Sequence, residues 1–227
     1  MVFGLETMLA ATAAPLAATS GGSLQAALPR ITQLDCHAVQ LSAAMRGLRP
    51  RELNRRARRD LLAMLSRHAV MLAGVDLMIP RKDWVSAERV DRAVTATLDA
   101  IDFAADLGRV PLSLPLPVKE LADDVKAALT ASADGHDVPL AIHAEDQPDD
   151  LIAWLDEQDQ PMLRAGLDAA AALALQLNPA ELATRLSDRL LVARLDDYSA
   201  AGVASGAGRV PVGEGDLDVT EFKAAVV

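Results

Sequence analysis

Short apolar runs and amphipathic helical stretches take turns along this chain, roughly one pair for every 25–35 residues, and that alternation limits the folds open to it. Residues 50–68 place Leu53, Ala57, Leu61, Met64 and Leu65 on one helical face, with Pro50 suited to a first turn. Residues 86–107 predict the clearest helix, with Ser86 in a capping position and Val90, Val94, Leu98, Ile101 and Ala105 as its buried stripe. Gly108 follows where a helix commonly ends in a left-handed residue. The runs at 37–43, 70–80 and 109–117 are too short for buried helices and are bounded by turn residues, so they predict strands buried on both faces.

The pattern continues with a helix at 117–132, a strand at 138–146, a helix at 148–157 and a strand at 161–168. An alanine-rich helical stretch comes next, with a second piece from Pro179 to Asp188, then a strand at 189–197 and a loop of glycine and small residues. A last helix follows Asp218, where Glu221 completes a capping-box pattern. At the front, TMLAATAAP predicts a first strand and residues 23–35 a helix bent at Pro29. Alternating units in this number predict a parallel sheet: an α/β fold of (β/α)₈ TIM-barrel type, incomplete, with about seven βα units in a single domain over 1–227. The alternative is a doubly wound open sheet. No glycine-rich dinucleotide or phosphate-loop pattern follows any predicted strand, which argues against a nucleotide-binding version.

Composition narrows the partners. The net charge is −10 and aromatics are only 3% of the residues, which argues against nucleic acid and against an anionic membrane surface. No apolar run approaches the ~20 residues a spanning helix needs. Cys36 is the only cysteine, so no disulfide forms within the chain and a reducing compartment is expected. The small, apolar N-terminus has no basic residue before Arg30 and is interrupted by Glu6, unlike a signal peptide. A cytoplasmic protein is the expectation.

In a barrel, chemistry collects at the carboxyl ends of the strands. The polar residues expected there are Gln40, Asp76, His143 with Glu145 and Asp146, Asp168, and Arg194 with Asp196 and Asp197. Carboxylates with one imidazole, converging from successive strands, are what a divalent metal site or a carboxylate acid/base pair requires. The plainer role for such acids is to cap the following helix, and Asp168 is well placed for it. Other features carry plainer readings still. Arg51, Arg55, Arg56, Arg58 and Arg59 read as a solvated outer helix face, and His68 and His136 as helix-end residues. Trp84 and Trp154 read as pocket-lining or packing residues, and Gly213-Glu214-Gly215 as turn chemistry.

From about residue 37 onward the chain resembles the xylose isomerase-like TIM-barrel family, whose members include sugar-phosphate isomerases and epimerases. The resemblance is carried in order by residues 39–80 and 89–117, then by VPLAIHAED, LRAGLDAAAALALQLNPAEL, RLLVARLDDYSAAG and VPVGEGDLDVTEF. It implies isomerisation of a small sugar or hydroxy-carbonyl compound, assisted by a divalent metal (Mn²⁺, Mg²⁺ or Zn²⁺). On this chain the family pattern puts His143 and Asp168 at metal positions, Glu145 and Asp197 as catalytic carboxylates, and Arg194 with Gln40 on the substrate. The pattern is degenerate. His143 stands where a Glu is usual, Ala171 where a His follows the Asp, and Arg194 where a His precedes Asp197. The chain ends at Val227 in what reads as the seventh helix, so the strand with the family's last Glu falls outside it, and a fragment or a sealed gap is expected. The partners implied are a sugar-like small molecule and further copies of the chain as a homo-oligomer. The alternative function is a non-catalytic barrel that binds a ligand or serves as a partner subunit.

Overall fold

The computed structural model describes residues 10–35, 37–144, 147–158, 160–201 and 208–227. The elements in chain order are β1 (Ala11–Thr12), α1 (Ala13–Thr19), α2 (Leu24–Gln33), β2 (Ala38–Ser42), a 3₁₀ turn (Pro50–Glu52) and α3 (Arg55–Arg67). Next come β3 (Met71–Asp76), α4 (Arg81–Trp84), α5 (Val90–Asp106), β4 (Leu112–Leu116), α6 (Asp123–His136), β5 (Leu140–Ala144) and α7 (Pro148–Gln158). The remainder is β6 (Leu163–Asp168), α8 (Ala169–Ala174), α9 (Pro179–Leu186), β7 (Leu190–Arg194), β8 (Asp197–Tyr198), β9 (Arg209–Val210) and α10 (Val219–Val226). One parallel sheet takes the strands β1 to β7 in chain order, and β8 pairs with β9 in a separate antiparallel ribbon. Sequential parallel strands joined through helices are the (β/α)₈ barrel architecture, here with seven βα units among the described residues.

The chain divides into two compact units, residues 1–114 with 122–140 and residues 115–121 with 141–227. The first holds β1 to β3, most of β4, and α1 to α6. Its core is aliphatic, as the scarcity of aromatics requires: Leu28, Ile31, Val39, Leu41, Leu65, Val75, Ile101, Leu112 and Leu114 are all buried. Each such side chain contributes roughly 1.5–3 kcal/mol by leaving water. Ser23 and Asn54 cap α2 and α3 by accepting from the N–H of Ala26 and Ala57. Arg58 of the basic run pairs with Asp102 at 2.8 Å and Asp106 at 2.7 Å and lies over the Phe103 ring, so this part of the run is bound to neighbouring acids.

Three local expectations shift here. The helix expected from Ser86 begins at Val90, because Ser86 spends its carbonyl on a preceding turn, accepting from Arg89 and Val90 N–H. Its buried stripe is Ala93, Thr97, Ala100, Ile101 and Ala104, one position around the helix from the predicted one. Of the expected strand at TMLAATAAP, residues 7–9 lie outside the described residues, Ala11–Thr12 form β1, and Ala13 already starts α1, with Pro15 inside its first turn where a proline is tolerated.

The second unit holds β6, β7, the ribbon, nearly all of β5, and α7 to α10. The helix expected from Val118 starts only at Asp123 of the first unit, because Pro117 opens a turn whose carbonyl accepts from Glu120 and Leu121 N–H. Asn178 and Asp218 cap α9 and α10, and Asp218 accepts from Thr220 and Glu221 N–H as the capping pattern predicts. Trp154 is buried against this unit's interior. No helix among the described residues is long and apolar enough to cross a membrane.

Candidate active site

The second unit brings the carboxyl ends of β5, β6 and β7 side by side, and the charged groups concentrate there. His143 lies on β5 one residue before the strand ends and is only 3% exposed. Its ring is flat against β6 because the facing residue is Gly166: a Cβ there would lie 2.5 Å from His143 Nε2. Burial, reinforced by Arg194 and Arg209 and opposed by Asp168, pushes the imidazole down to about 3, so it is neutral at physiological pH.

Asp168 ends β6 and caps α8, accepting from Ala171 N–H at 2.8 Å, which is the plainer role the sequence allows it. It does more than cap. Arg209 Nη2 donates to both of its carboxylate oxygens, at 3.0 and 2.9 Å, and Arg194 Nη1 stands 3.6 Å away. Burial favours the protonated acid, but the Arg209 hydrogen bonds and charge, the Ala171 N–H and Arg194 outweigh it and hold Asp168 below the usual carboxylate range.

Asp196 follows β7. It accepts from Ala170 N–H at 3.0 Å, satisfying a second orphan donor of the same helix start, and its other oxygen meets Arg209 Nη1. One guanidinium thus bridges two carboxylates. Burial and the neighbouring Asp168 charge raise the Asp196 carboxyl to about 6, although Ala170 and Arg209 pull the other way. Its side chain remains 26% exposed.

Asp197 is the next residue, and its surroundings differ completely. It is fully buried, and its two oxygens accept four backbone N–H groups: Tyr198 at 2.8 Å, Gly213 at 2.9 Å, Leu217 at 3.0 Å and Gly215 at 3.1 Å. Burial works to raise its pKa, and the four N–H donors more than reverse that. The Gly213-Glu214-Gly215 turn is therefore a carboxylate clasp. Gly213 adopts φ +92°, and a Cβ on Gly215 would collide with the Asp197 carboxylate and the Tyr198 carbonyl.

The other residues singled out in the sequence fall elsewhere. Gln40 sits half-buried in the middle of β2, in register with Gly74, in the first unit. Asp76 ends β3, in register with Ser42 and Ser113 in that unit. Glu145 and Asp146 lie outside the described residues, as does Cys36. Sequence reasoning missed Arg209. The signal that reveals it is a hairpin reading of the two short extended pairs, Asp197-Tyr198 and Arg209-Val210, around a glycine-rich loop.

No protein-family model matches the chain, and no curated protein matches its sequence. Solved structures do match its fold. A xylose isomerase domain protein from Planctomyces limnophilus superposes with a TM-score of 0.71 at 17% identity, over 88% of this chain and 80% of that one. The fold is that of the xylose isomerase-like TIM barrels. L-ribulose 3-epimerase shares it with a TM-score of 0.72 at 14% identity, over 97% of this chain and 77% of that one. D-allulose 3-epimerase from Methylomonas sp. shares it with a TM-score of 0.70 at 14% identity, over 96% and 78%.

The described residues at the strand ends do not fit the divalent metal that likeness to xylose isomerase-like barrels implies. A hard divalent cation needs several oxygen donors, or oxygens with imidazole, free to turn toward it. Here both Asp168 oxygens are already bonded to Arg209, and a second guanidinium stands beside them. Among the described residues no three His, Cys, Asp or Glu side chains gather as a ligand set. The space beside Asp168, bounded by Ala144, Leu151, Gly166, Ala171, Leu182 and Leu186, is about 20 Å³, room for a single water.

Proposed function

We propose that the chain is a sugar isomerase/epimerase-like protein that takes a small sugar or hydroxy-carbonyl compound at the carboxyl ends of β5, β6 and β7. The observation that carries this reading is the divergence of two neighbouring carboxyls. Asp168 stays ionised beneath guanidinium groups, while Asp196 is raised to about 6 with a quarter of its side chain open. Carboxyls pushed apart in this way are the usual sign of divided acid/base roles. The epimerases that share the fold, named for L-ribulose and D-allulose, support the substrate class.

In this reading Asp196 takes the proton from the carbon beside a carbonyl. The C–H electron pair moves into the adjacent C–C bond and the carbonyl oxygen becomes an enolate oxygen, which Arg194 orients and stabilises. Delivery of a proton to the opposite face of the same carbon by a second acid gives the epimer; delivery to the former carbonyl carbon, with the α-hydroxyl proton passing to the enolate oxygen, gives the isomer, and neither needs an outside reactant. Asp197 drops out of the proton chemistry, because its lone pairs are committed to backbone N–H groups. Glu145 stays in the proposal as a second carboxylate. We take residues 1–227 as one domain of a cytoplasmic protein that works as a homo-oligomer.

A second reading is a barrel that binds a sugar-like ligand without turning it over. It is favoured by the tight engagement of Asp168, whose two oxygens are both held by Arg209. Incubation in D₂O with D-allulose, L-ribulose and related ketoses separates the two. Catalysis predicts exchange of the proton next to the carbonyl, seen by proton NMR, and its loss in Asp196→Asn. Ligand-observed binding without exchange leaves the second reading, and absence of both sinks the sugar-like substrate altogether.

A further inference from the structure

We propose that Arg209 is a built-in counter-cation, whose guanidinium takes the place between Asp168 and Asp196 that a divalent ion would otherwise occupy, and that this is what makes the site metal-independent. Three observations carry the inference. The first is the bonding pattern. Arg209 Nη2 reaches both Asp168 oxygens and Nη1 reaches Asp196, so one planar cation joins two carboxylates as a bridging metal would. The second is electrostatic. A divalent ion approaching Asp168 meets the Arg209 charge and, 3.6 Å from the same carboxylate, the Arg194 charge. Both guanidinium charges repel an incoming cation, the more so in a partly buried site.

The third is delivery. Arg209 is on β9, paired in register with Tyr198 of β8, and the adjoining turn is clasped to Asp197 through Gly213, Gly215 and Leu217 N–H. The aspartate that resembles a catalytic residue in sequence is thus a positioning residue. It moors the ribbon from which Arg209 reaches the two carboxylates. Nη1 and Nη2 then meet acids from two different strand ends.

This inference uses the same cluster as the isomerase reading, but its test is read as binding and needs no turnover. Mn²⁺ is titrated into the metal-stripped full chain and followed by calorimetry and by the loss of the free-ion electron paramagnetic resonance signal. The expectation is no uptake by the wild-type site up to millimolar metal. Arg209→Ala and Arg209→Gln are expected to take up one Mn²⁺ at least tenfold more tightly than wild type, with a rise in melting temperature that Mn²⁺ causes only in the variants. Adding Asp168→Asn to Arg209→Ala abolishes the gain. Mn²⁺ uptake by the wild type that Asp168→Asn removes overturns the proposal, as do folded Arg209 variants with no gain. If neither Arg209 variant folds, the wild-type titration against Asp168→Asn decides alone: uptake overturns the inference and its absence upholds it. Deuterium exchange by wild type leaves this result untouched, so the two readings fail separately.

Discussion

Asp196 and Asp197 are neighbours in the chain and opposites in environment. Asp197 is buried among backbone N–H groups that hold its pKa below the usual carboxylate range and keep it structurally occupied. Asp196 sits partly open beside another carboxylate, with a single guanidinium between them, and its pKa climbs to about 6. Consecutive residues of extended backbone point to opposite sides. One aspartate therefore enters the loop and the other the strand-end cluster. Like residues one position apart acquire different chemistry from the dipoles and charges that meet them, and backbone N–H groups make a better anchor than a catalyst.

That contrast can be broken experimentally, beginning with activity. Asp196→Asn is expected to lower solvent deuterium exchange by roughly 10²–10⁴-fold, the range typical of a lost general base, while stability in urea changes by less than about 1 kcal/mol. The reverse pattern is expected one residue later. Asp197→Ala strands several buried N–H donors and should cost roughly 3 kcal/mol in denaturant unfolding. If Asp197 were instead the proton carrier, exchange would vanish at unchanged stability.

A smaller effect tests the packing beneath the cluster. Gly166→Ala forces a methyl into the His143 ring and should cost about 1–3 kcal/mol, measured by thermal or urea unfolding. An unchanged melting curve would mean the ring has room to move.

The smallest effect is a pH slope. His143, lowered to about 3 when folded, makes stability fall as pH drops from its unfolded value of roughly 6.5, because the unfolded chain binds the extra proton. Asp196, raised to about 6, works in the other sense: its folded form binds the extra proton between about 4 and 6, so stability falls as pH rises through that window. The two contributions offset each other in the wild type. Asp196→Asn removes one of them and should steepen the acid loss between pH 4 and 6 by roughly 1 kcal/mol per pH unit. Parallel stability profiles for the two proteins would show that the carboxyl does not titrate there.

Much of the fold was legible in local pattern. The apolar runs at 37–43, 109–117 and 161–168 became β2, β4 and β6, and the caps at Asp168 and Asp218 formed as their residue types predict. Errors arose where a turn competed with a helix start, at Ser86 and Pro117, since a single backbone carbonyl committed to a turn delays the first helical hydrogen bond. The site was less legible. Strand-end position identified His143, Asp168, Arg194 and Asp196 as neighbours, but Arg209 arrives from beyond a loop, and no periodicity points to its target.

The sequence by itself determined the alternation of strand and helix, and with it a parallel sheet whose polar residues gather at the strand ends. Those are consequences of hydrophobic period and capping, which act over a few residues. Only the tertiary structure decided which partner neutralises which carboxylate: backbone N–H groups for Asp197, a guanidinium shared by Asp168 and Asp196. Pairing of that kind depends on distances of about 3 Å between groups far apart in the chain, and charge acts through space with no regard for sequence order.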